Sequence, residues 1–240
     1  MPSARSDRTI FENLSFDVDR GQIVDLVGPS GSGKSSLLTA FALLNPHADG
    51  TFTLDGADSS SFSLQQWRRN VAYLPQKPML MGDSVADTIR LPWTLAVRRA
   101  DEASAPDDHA ATGKKTSARR GRFSRLFRSE QSQAKLALPD QLIRNTLDAT
   151  GCEDIDLARA PHDLSGGQAA RVSLARTLLT RPAVLLADEV DAGLDDDNAD
   201  KVASIMASAA ARGMAIVRIR HRPPDGRATR IVTLSSGRLS

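Results

Sequence analysis

Residues 28–35 read Gly-Pro-Ser-Gly-Ser-Gly-Lys-Ser, which fits the pattern G-x-x-x-x-G-K-[ST]. Glycines let successive backbone N–H groups turn toward an anion, and a helix that starts here adds its partial positive charge. Lys34 is predicted to reach the β- and γ-phosphates of a nucleotide, and Ser35 to hold Mg²⁺. The residues predicted to surround the phosphates are Gly28, Pro29, Ser30, Gly31, Ser32, Gly33, Lys34, Ser35 and Ser36.

Two adjacent acids, Asp188 and Glu189, directly follow an apolar run of strand length. A parallel sheet buries its strands and presents functional groups at their C-terminal ends, which would bring these acids beside the phosphate loop. Asp188 is predicted to hold the metal through water. Glu189, which strand alternation turns the other way, is predicted to polarise an attacking water as the catalytic base.

A second glycine-containing segment, Leu-Ser-Gly-Gly-Gln at residues 164–168, precedes another predicted helix. A serine hydroxyl and glycine N–H groups at a helix start form an anion pocket by the same physics as the first loop. Two phosphate-binding segments therefore lie far apart in one chain. The residues predicted to bind nucleotide at the second are Ser165, Gly166, Gly167 and Gln168.

The apolar pattern predicts the elements that position these residues. Strands are expected at residues 10–19, 22–27, 50–55, 71–74, 183–187 and 215–219. Helices are expected at residues 34–44, 139–150, 165–180 and 197–212. Strands that alternate with helices in this way indicate an α/β sheet with crossover helices.

Composition limits the function further. Hydrophobic residues are 40% and charged residues 25% of the chain, the ordinary balance of a globular protein. A net charge of +2 is too small to indicate a polyanionic partner, and 4% aromatic residues argue against a base-stacking surface. The single cysteine, Cys152, excludes an intramolecular disulfide. No apolar run has the length of a membrane span, so a cytoplasmic protein that meets membranes only by association is expected.

Residues 100–135 differ from the rest of the chain. Residues 113–128 contain seven basic residues and no acidic one. This composition buries too little apolar area to offset ordering, so a disordered insertion is predicted. If this insertion lies next to a membrane, its charges would attract anionic headgroups.

With these motifs in this order, the sequence resembles the ATP-binding cassette (ABC) ATPases of transporters over nearly the whole chain outside residues 100–135. The resemblance implies an α/β P-loop NTPase fold, with a mostly parallel sheet core, an antiparallel β subdomain and an inserted α-helical subdomain. It implies one ABC ATPase domain over residues 1–240, with a core at residues 1–90 and 160–240 and a helical subdomain at about 91–160. The implied ligands are ATP and Mg²⁺.

The resemblance also assigns roles to residues that are uninformative alone. Gln76 matches the glutamine that senses Mg²⁺ and the attacking water, and is therefore both a catalytic residue and a metal ligand. His221 matches the switch histidine that contacts the γ-phosphate. Asp195 matches an aspartate at the dimer interface, where the segment at residues 164–168 of one subunit would cap ATP held by the other. Two identical subunits would then enclose two ATP molecules head to tail.

The implied partners are this second ATPase subunit and an integral membrane permease, with no nucleic acid expected. In the family, the region after Gln76, here up to Met81, lines the groove that accepts a coupling helix of the permease. The subunit would thus attach peripherally to the cytoplasmic face of the membrane.

Four positions depart from the family pattern. Arg5 stands where an aromatic residue usually stacks on adenine, and Ala192 replaces the usual serine of the segment that contains Asp195. Arg220 and Arg222 replace the usual threonine and aspartate around the switch histidine. The predicted base and histidine are both present, so an active ATPase is expected.

A narrower resemblance rests on Met-Gly-Asp-Ser-Val-Ala-Asp-Thr-Ile at residues 81–89, followed by Leu-Pro-Trp at residues 91–93. These residues are similar to the Fet-type subfamily, whose ATPases pair with a small permease and are associated with iron export and metal stress. Metal or iron export is therefore the implied transport role.

Two other functions remain open from sequence. A soluble ABC ATPase that acts on nucleic acid or an assembly scaffold has only the basic insertion in its favour, and few aromatics and no long coiled coil against it. A binding-only regulator with weak turnover rests on Arg5 and Ala192.

Overall fold

The structure is a computed structural model of the 240-residue chain and describes residues 10–94, 134–135 and 137–240. Arg5 and nearly all of the predicted basic insertion lie outside the described residues. The chain divides into two compact units. The first contains Met1–Pro78 and Thr180–Ser240, and the second contains Met79–Leu179.

Eight strands are found in the described residues, all of them in the first unit. They are β1 (Ile23–Val27), β2 (Thr53–Leu54), β3 (Ala57–Asp58), β4 (Val71–Leu74), β5 (Val184–Asp188), β6 (Ala215–Ile219), β7 (Arg230–Ser235) and β8 (Arg238–Leu239). Six form one sheet in the order β4-β5-β6-β1-β7-β8, and β2 pairs with β3 in a small antiparallel sheet. Every pairing from β4 through β7 is parallel, and β8 runs antiparallel to β7. The mostly parallel sheet and the small antiparallel sheet confirm the predicted α/β class.

Three α-helices of the first unit are α1 (Lys34–Phe41), α2 (Leu64–Asn70) and α6 (Asp196–Ala211). Helix α2 starts with a capping box, in which the Ser63 hydroxyl accepts from the Gln66 N–H and the Gln66 side chain accepts from the Ser63 N–H. Asp195 caps α6 by accepting from the N–H of Asn198 at 2.8 Å. A short 3-10 helix covers Ser59–Ser61.

The core of the first unit lies where α1 and α2 pack against the sheet. It joins apolar side chains of β1, β6 and β7 to the helices, including Leu26, Leu38, Trp67, Val217 and Leu234. Burial of such side chains contributes about 1.5–3 kcal/mol each. The strands that carry the predicted site therefore have little freedom to shift.

The second unit contains α3 (Val85–Arg90), α4 (Asp140–Ala149) and α5 (Gly166–Leu179), with 3-10 helices at Leu91–Thr94 and Pro161–Asp163. Its core is made of fully buried side chains from all three α-helices, among them Ile89, Leu147 and Val172. Because α3 and α5 bury their apolar faces in this core, both belong to the inserted unit. The two compact units divide after residues 78 and 179, and the helical subdomain at about 91–160 stays a prediction. No helix in the described ranges combines the length and apolarity that crossing a bilayer requires.

The strand predicted at residues 10–19 is wrong, since no residue there joins a ladder. The apolar residues of the alternating pattern nevertheless pack on the core of the first unit; they are Phe11, Leu14, Phe16 and Val18. Phe16 stacks on Phe41 with 5.2 Å between ring centroids. The strand predicted at residues 50–55 shortens to β2. Helices α2 and α3 and strands β3, β7 and β8 were not predicted.

Three buried charges link β1 and β6. The Arg218 guanidinium, 1% exposed, donates to Asp25 at 2.5 Å and to Asp225 at 2.7 Å. Burial alone would raise the pKa of Asp225, but hydrogen bonds from Arg218 and the Arg227 N–H, with the nearby positive charges, lower it. The pairing keeps Arg218 and Asp225 ionised inside the unit.

We predict that Arg218→Met lowers the free energy of unfolding by about 3–5 kcal/mol, because two buried carboxylates lose their shared cation. Urea denaturation followed by circular dichroism measures the change. Arg20→Met is the matched control, since the Arg20–Asp55 pair is 69% and 53% exposed and its loss should leave the midpoint unchanged. Equal midpoints for the two variants would contradict the assignment.

Candidate active site

The phosphate-type loop occupies residues 28–33, between the end of β1 and the start of α1. Gly28 and Gly33 have φ values of 148° and 98°, which side chains rarely adopt. A Cβ atom on Gly28 would lie 2.1 Å from the carbonyl oxygen of Leu234, and one on Gly33 would lie 2.5 Å from Cγ2 of Ile10. Glycine is therefore required at both positions by dihedral angle and by space.

Two polar side chains in and directly after this loop are suited to binding a phosphate. The Lys34 side chain is buried, and its Nζ donates to the carbonyl oxygens of Gly28 and Pro29 at 2.8 and 3.0 Å. Ser32 Oγ is buried and has no hydrogen-bond partner. A buried hydroxyl without a partner costs about 1–3 kcal/mol, and a phosphate oxygen would supply one. The loop thus fits the predicted phosphate ligand.

Asp188, the last residue of β5, is held at both carboxylate oxygens. Ser35 Oγ donates to Oδ1 at 3.0 Å, and the Tyr73 hydroxyl donates to Oδ2 at 2.7 Å. Burial and the hydrogen bond to Asp188 raise the pKa of Tyr73, so its hydroxyl stays protonated and remains a donor. The structure thereby brings together two predicted metal ligands and adds Tyr73, which was not predicted as a site residue.

The residues present fit Mg²⁺, which prefers oxygen ligands and few carboxylates. The predicted ligand set supplies the Ser35 hydroxyl, the Asp188 carboxylate and the Gln76 side-chain amide. Across the described ranges, no three His, Cys, Asp or Glu side chains cluster as a metal site. Phosphate oxygens would therefore complete the coordination.

Glu189 lies at the centre of a second cluster. Gln76 Nε2 donates to its Oε2 at 2.8 Å, and His221 Nε2 lies 2.6 Å from its Oε1. The carboxylate is thus bracketed by the two residues to which the resemblance assigned catalytic roles. Residues separated by more than a hundred positions in sequence meet here.

The orientation of Glu189 has a different cause from the predicted strand alternation. Strand β5 ends at Asp188, and Glu189 has a left-handed φ of 50°. Its N–H donates to the carbonyl oxygen of Ile219 at 3.2 Å, which ties this turn to the end of β6. A left-handed non-glycine residue costs about 1–3 kcal/mol and is typical of functional sites.

Two ion pairs join the segments that flank Glu189 and His221 in sequence. Arg220 pairs with Asp191 at 3.0 Å, and Arg222 pairs with Asp196 at 2.5 Å and also donates to the carbonyl oxygen of Leu194. The sequence marked both arginines only as departures from the family pattern. Nothing in their spacing indicated which acids they meet.

The second glycine-containing segment lies in the second unit, where it starts α5. Ser165 Oγ accepts from the Gln168 N–H at 3.2 Å, and Gln168 Oε1 accepts from the Ser165 N–H at 3.0 Å. Ser165 and Gly166 are exposed, Gly167 is half-buried, and Gln168 also donates to Asp154 at 2.8 Å. The segment is therefore a capped helix start whose first residues face solvent.

The segment that resembles the Fet-type subfamily builds the start of α3. Ser84 Oγ caps the helix by accepting from the Asp87 N–H at 3.1 Å, and Val85 and Ile89 are fully buried. Thr88 donates to the carbonyl oxygen of Met81 at 3.0 Å. These contacts give the segment a structural role.

Comparisons with known proteins agree with this geometry. The ABC transporter family matches residues 11–192. The chain is 32% identical over 196 residues to the probable iron export ATP-binding protein FetA of Escherichia coli, covering 82% of this chain and 70% of that protein. It is 31% identical to the phosphate import ATP-binding protein PstB 2 of Natronomonas pharaonis, covering 96% and 73%.

A solved dimeric ATP-binding cassette in a post-hydrolysis state with ADP and Pi superimposes with a TM-score of 0.67. It is 21% identical and covers 96% of this chain and 88% of that chain, so it supports the fold. The family match spans most of the chain and includes the phosphate loop, Gln76, Asp188 and Glu189. This chain therefore belongs to the ABC transporter family, as an ATP-binding subunit that hydrolyses ATP.

Proposed function

We propose that the chain hydrolyses ATP at the edge of the sheet where Glu189 lies, with Glu189 as the general base. The observation that carries this proposal is the pair of contacts from Gln76 and His221 to the two oxygens of one carboxylate, at 2.8 and 2.6 Å. A general base must lie within hydrogen-bond reach of the proton that it abstracts, so the water that Gln76 holds must lie beside the Glu189 carboxylate. Gln76 holds that water in line, and Glu189 accepts its proton.

Lys34 and His221 stabilise the charge on the transferred phosphoryl group. Lys34 Nζ now donates to two loop carbonyls, and on ATP binding it exchanges these for β- and γ-phosphate oxygens. His221 donates to the γ-phosphate. Ser35, Asp188 and Gln76 would hold Mg²⁺, which would neutralise phosphate charge.

Two copies of the chain form the complete site. Ser165 and Gly166 are exposed at the start of a helix, as a surface that meets a phosphate from another molecule requires. The solved cassette described above is dimeric, which supports a site made by two copies. Ser165, Gly166, Gly167 and Gln168 of one copy would contact ATP on the loop of the other, with Asp195 at the interface.

The membrane partner is a permease that docks beside the segment after Gln76. Met79 and Met81 are 68% and 56% exposed, although methionine is usually buried. Unbranched methionine side chains suit a contact that repacks during each cycle. Through this partner the subunit attaches to the cytoplasmic face of the membrane.

The transported solute stays a prediction of the Fet-type resemblance, namely metal or iron. The iron-export and phosphate-import relatives are almost equally identical to this chain, at 32% and 31%. Overall identity therefore does not select between these solutes. The proposed nucleic-acid alternative depends on the basic insertion, and the family match favours the transporter.

We predict that Glu189→Gln lowers ATP turnover by about 10²–10⁴-fold, because the water loses its base. The same variant should dimerise in MgATP, since ATP binds but is not consumed. Phosphate release and size-exclusion chromatography with light scattering measure the two effects. Glu12→Gln, an exposed glutamate, is the matched control. Turnover equal to that of the control would reject Glu189 as the base and favour the regulator interpretation.

Tyr73→Phe tests the support of Asp188. Removal of the hydroxyl frees Oδ2 of Asp188, so a higher Mg²⁺ concentration should be needed for half-maximal turnover, by about tenfold. A magnesium titration of ATP turnover at saturating ATP measures this shift. An unchanged Mg²⁺ requirement would show that Tyr73 only packs.

Met79→Asp combined with Met81→Asp tests the permease surface. The double variant should keep basal ATP turnover and lose co-purification with the proposed membrane permease, because charge replaces apolar contact area. Leu142→Asp, which also alters an exposed apolar residue of the second unit, is the control. Retained co-purification would place the docking surface elsewhere.

A further inference from the structure

Three consecutive residues after β6 each contact the segment at residues 189–196, here called the acidic segment. Arg220 pairs with Asp191 at 3.0 Å, and His221 lies 2.6 Å from Glu189. Arg222 pairs with Asp196 at 2.5 Å and donates to the carbonyl oxygen of Leu194. The histidine is thus flanked on both sides by an arginine that contacts the acidic segment.

Arg220 also belongs to a longer chain of buried charges. It lies 2.9 Å from Asp225, which in turn pairs with Arg218, and Arg218 pairs with Asp25 on β1. The alternating series is Asp25, Arg218, Asp225, Arg220 and Asp191, and each side chain is at most 12% exposed. Strand β1 is the strand that leads into the phosphate loop. One ionic chain therefore runs from that strand to the acidic segment.

Burying five charged groups is a poor way to gain stability. Desolvation of buried ions costs several kcal/mol each, so replacing such pairs with apolar residues is often neutral or stabilising. What an arginine buried between two carboxylates provides is fixed geometry, and Arg220 lies in this way between Asp191 and Asp225. The left-handed turn at Glu189 needs such support, since its backbone is not in a favoured region.

We propose that Arg220 and Arg222 are positioning residues for ATP hydrolysis, which hold His221 and the acidic segment in one fixed arrangement around the γ-phosphate. This inference rests on the proposed roles of Glu189 and His221. The arginines do not touch ATP, and they act through the backbone of the histidine and the ion pairs on either side of it. Small misplacements of reacting groups lower rates steeply, by up to about 10²-fold for 1 Å.

The test compares Arg222→Met and Arg220→Lys with Arg227→Met. Arg227 is a suitable control because it lies in the same charged cluster, where it pairs with Asp200 at 2.8 Å, and makes no ion pair with the acidic segment. Its side chain is 26% exposed, against 28% for Arg222. Steady-state ATP turnover yields kcat and KM for each variant, and thermal unfolding verifies that each folds.

We expect Arg222→Met and Arg220→Lys to lower kcat by about tenfold or more with KM within about twofold of the parent, because only transition-state geometry is lost. Arg222→Lys should recover part of the loss, since it keeps the charge beside Asp196. Arg227→Met should match the parent. If Arg220→Lys does not fold, the kcat of Arg222→Met alone tests the inference. The ion pair of Arg222 lies at the surface, so its loss should not prevent folding.

Values of kcat for Arg222→Met equal to those for Arg227→Met would overturn the inference. A parallel measurement of Glu189→Gln separates this failure from failure of the proposed function. If Glu189→Gln abolishes turnover while the arginine variants match their control, only the positioning role is rejected. If Glu189→Gln also turns over normally, the catalytic assignment itself fails.

Discussion

Parallel pairing of β4, β5, β6 and β1 is the constraint on which the site depends. In parallel strands the C-terminal ends meet at one edge of the sheet, and each of these four strands is followed there by a predicted site residue or segment. The phosphate loop follows β1, Gln76 follows β4, Glu189 follows β5 and His221 follows β6. The apolar core beneath holds the strands in register, so hydrophobic burial fixes the positions of groups that do chemistry.

Charged side chains of the first unit fall into two groups that differ in solvent exposure. At the catalytic edge, Glu189 and His221 remain partly exposed, at 21% and 54% of their side chains, as groups that receive substrate must. By contrast, Arg218 and Arg220 pair with acids and have side chains that are only 1% and 7% exposed. The partly exposed pair of Glu189 and His221 thus lies in the same unit as a set of buried ion pairs, in which electrostatic interactions are stronger than in water.

The motif at residues 28–35 and the paired acids could be predicted from sequence because the chemistry itself restricts the residue types. Only glycine accommodates the loop's dihedral angles and close backbone contacts, and such requirements are local. Strands β1, β5 and β6 were predicted within about one residue, because a buried parallel strand is a continuous apolar run. Helix α2 was missed because among its seven residues only Trp67 is buried.

The α/β class, the phosphate loop, the paired acids and, through the resemblance, the ABC family could be predicted from the residues alone. Three features became visible only in the folded chain: residues 10–19 form no ladder, Tyr73 donates to Asp188, and Arg220 and Arg222 pair with particular acids. The division has a physical reason. A loop or an apolar strand is specified by neighbours in the chain, whereas an ion pair or a ladder needs a partner from a distant segment. That partner is chosen by how the strands assemble.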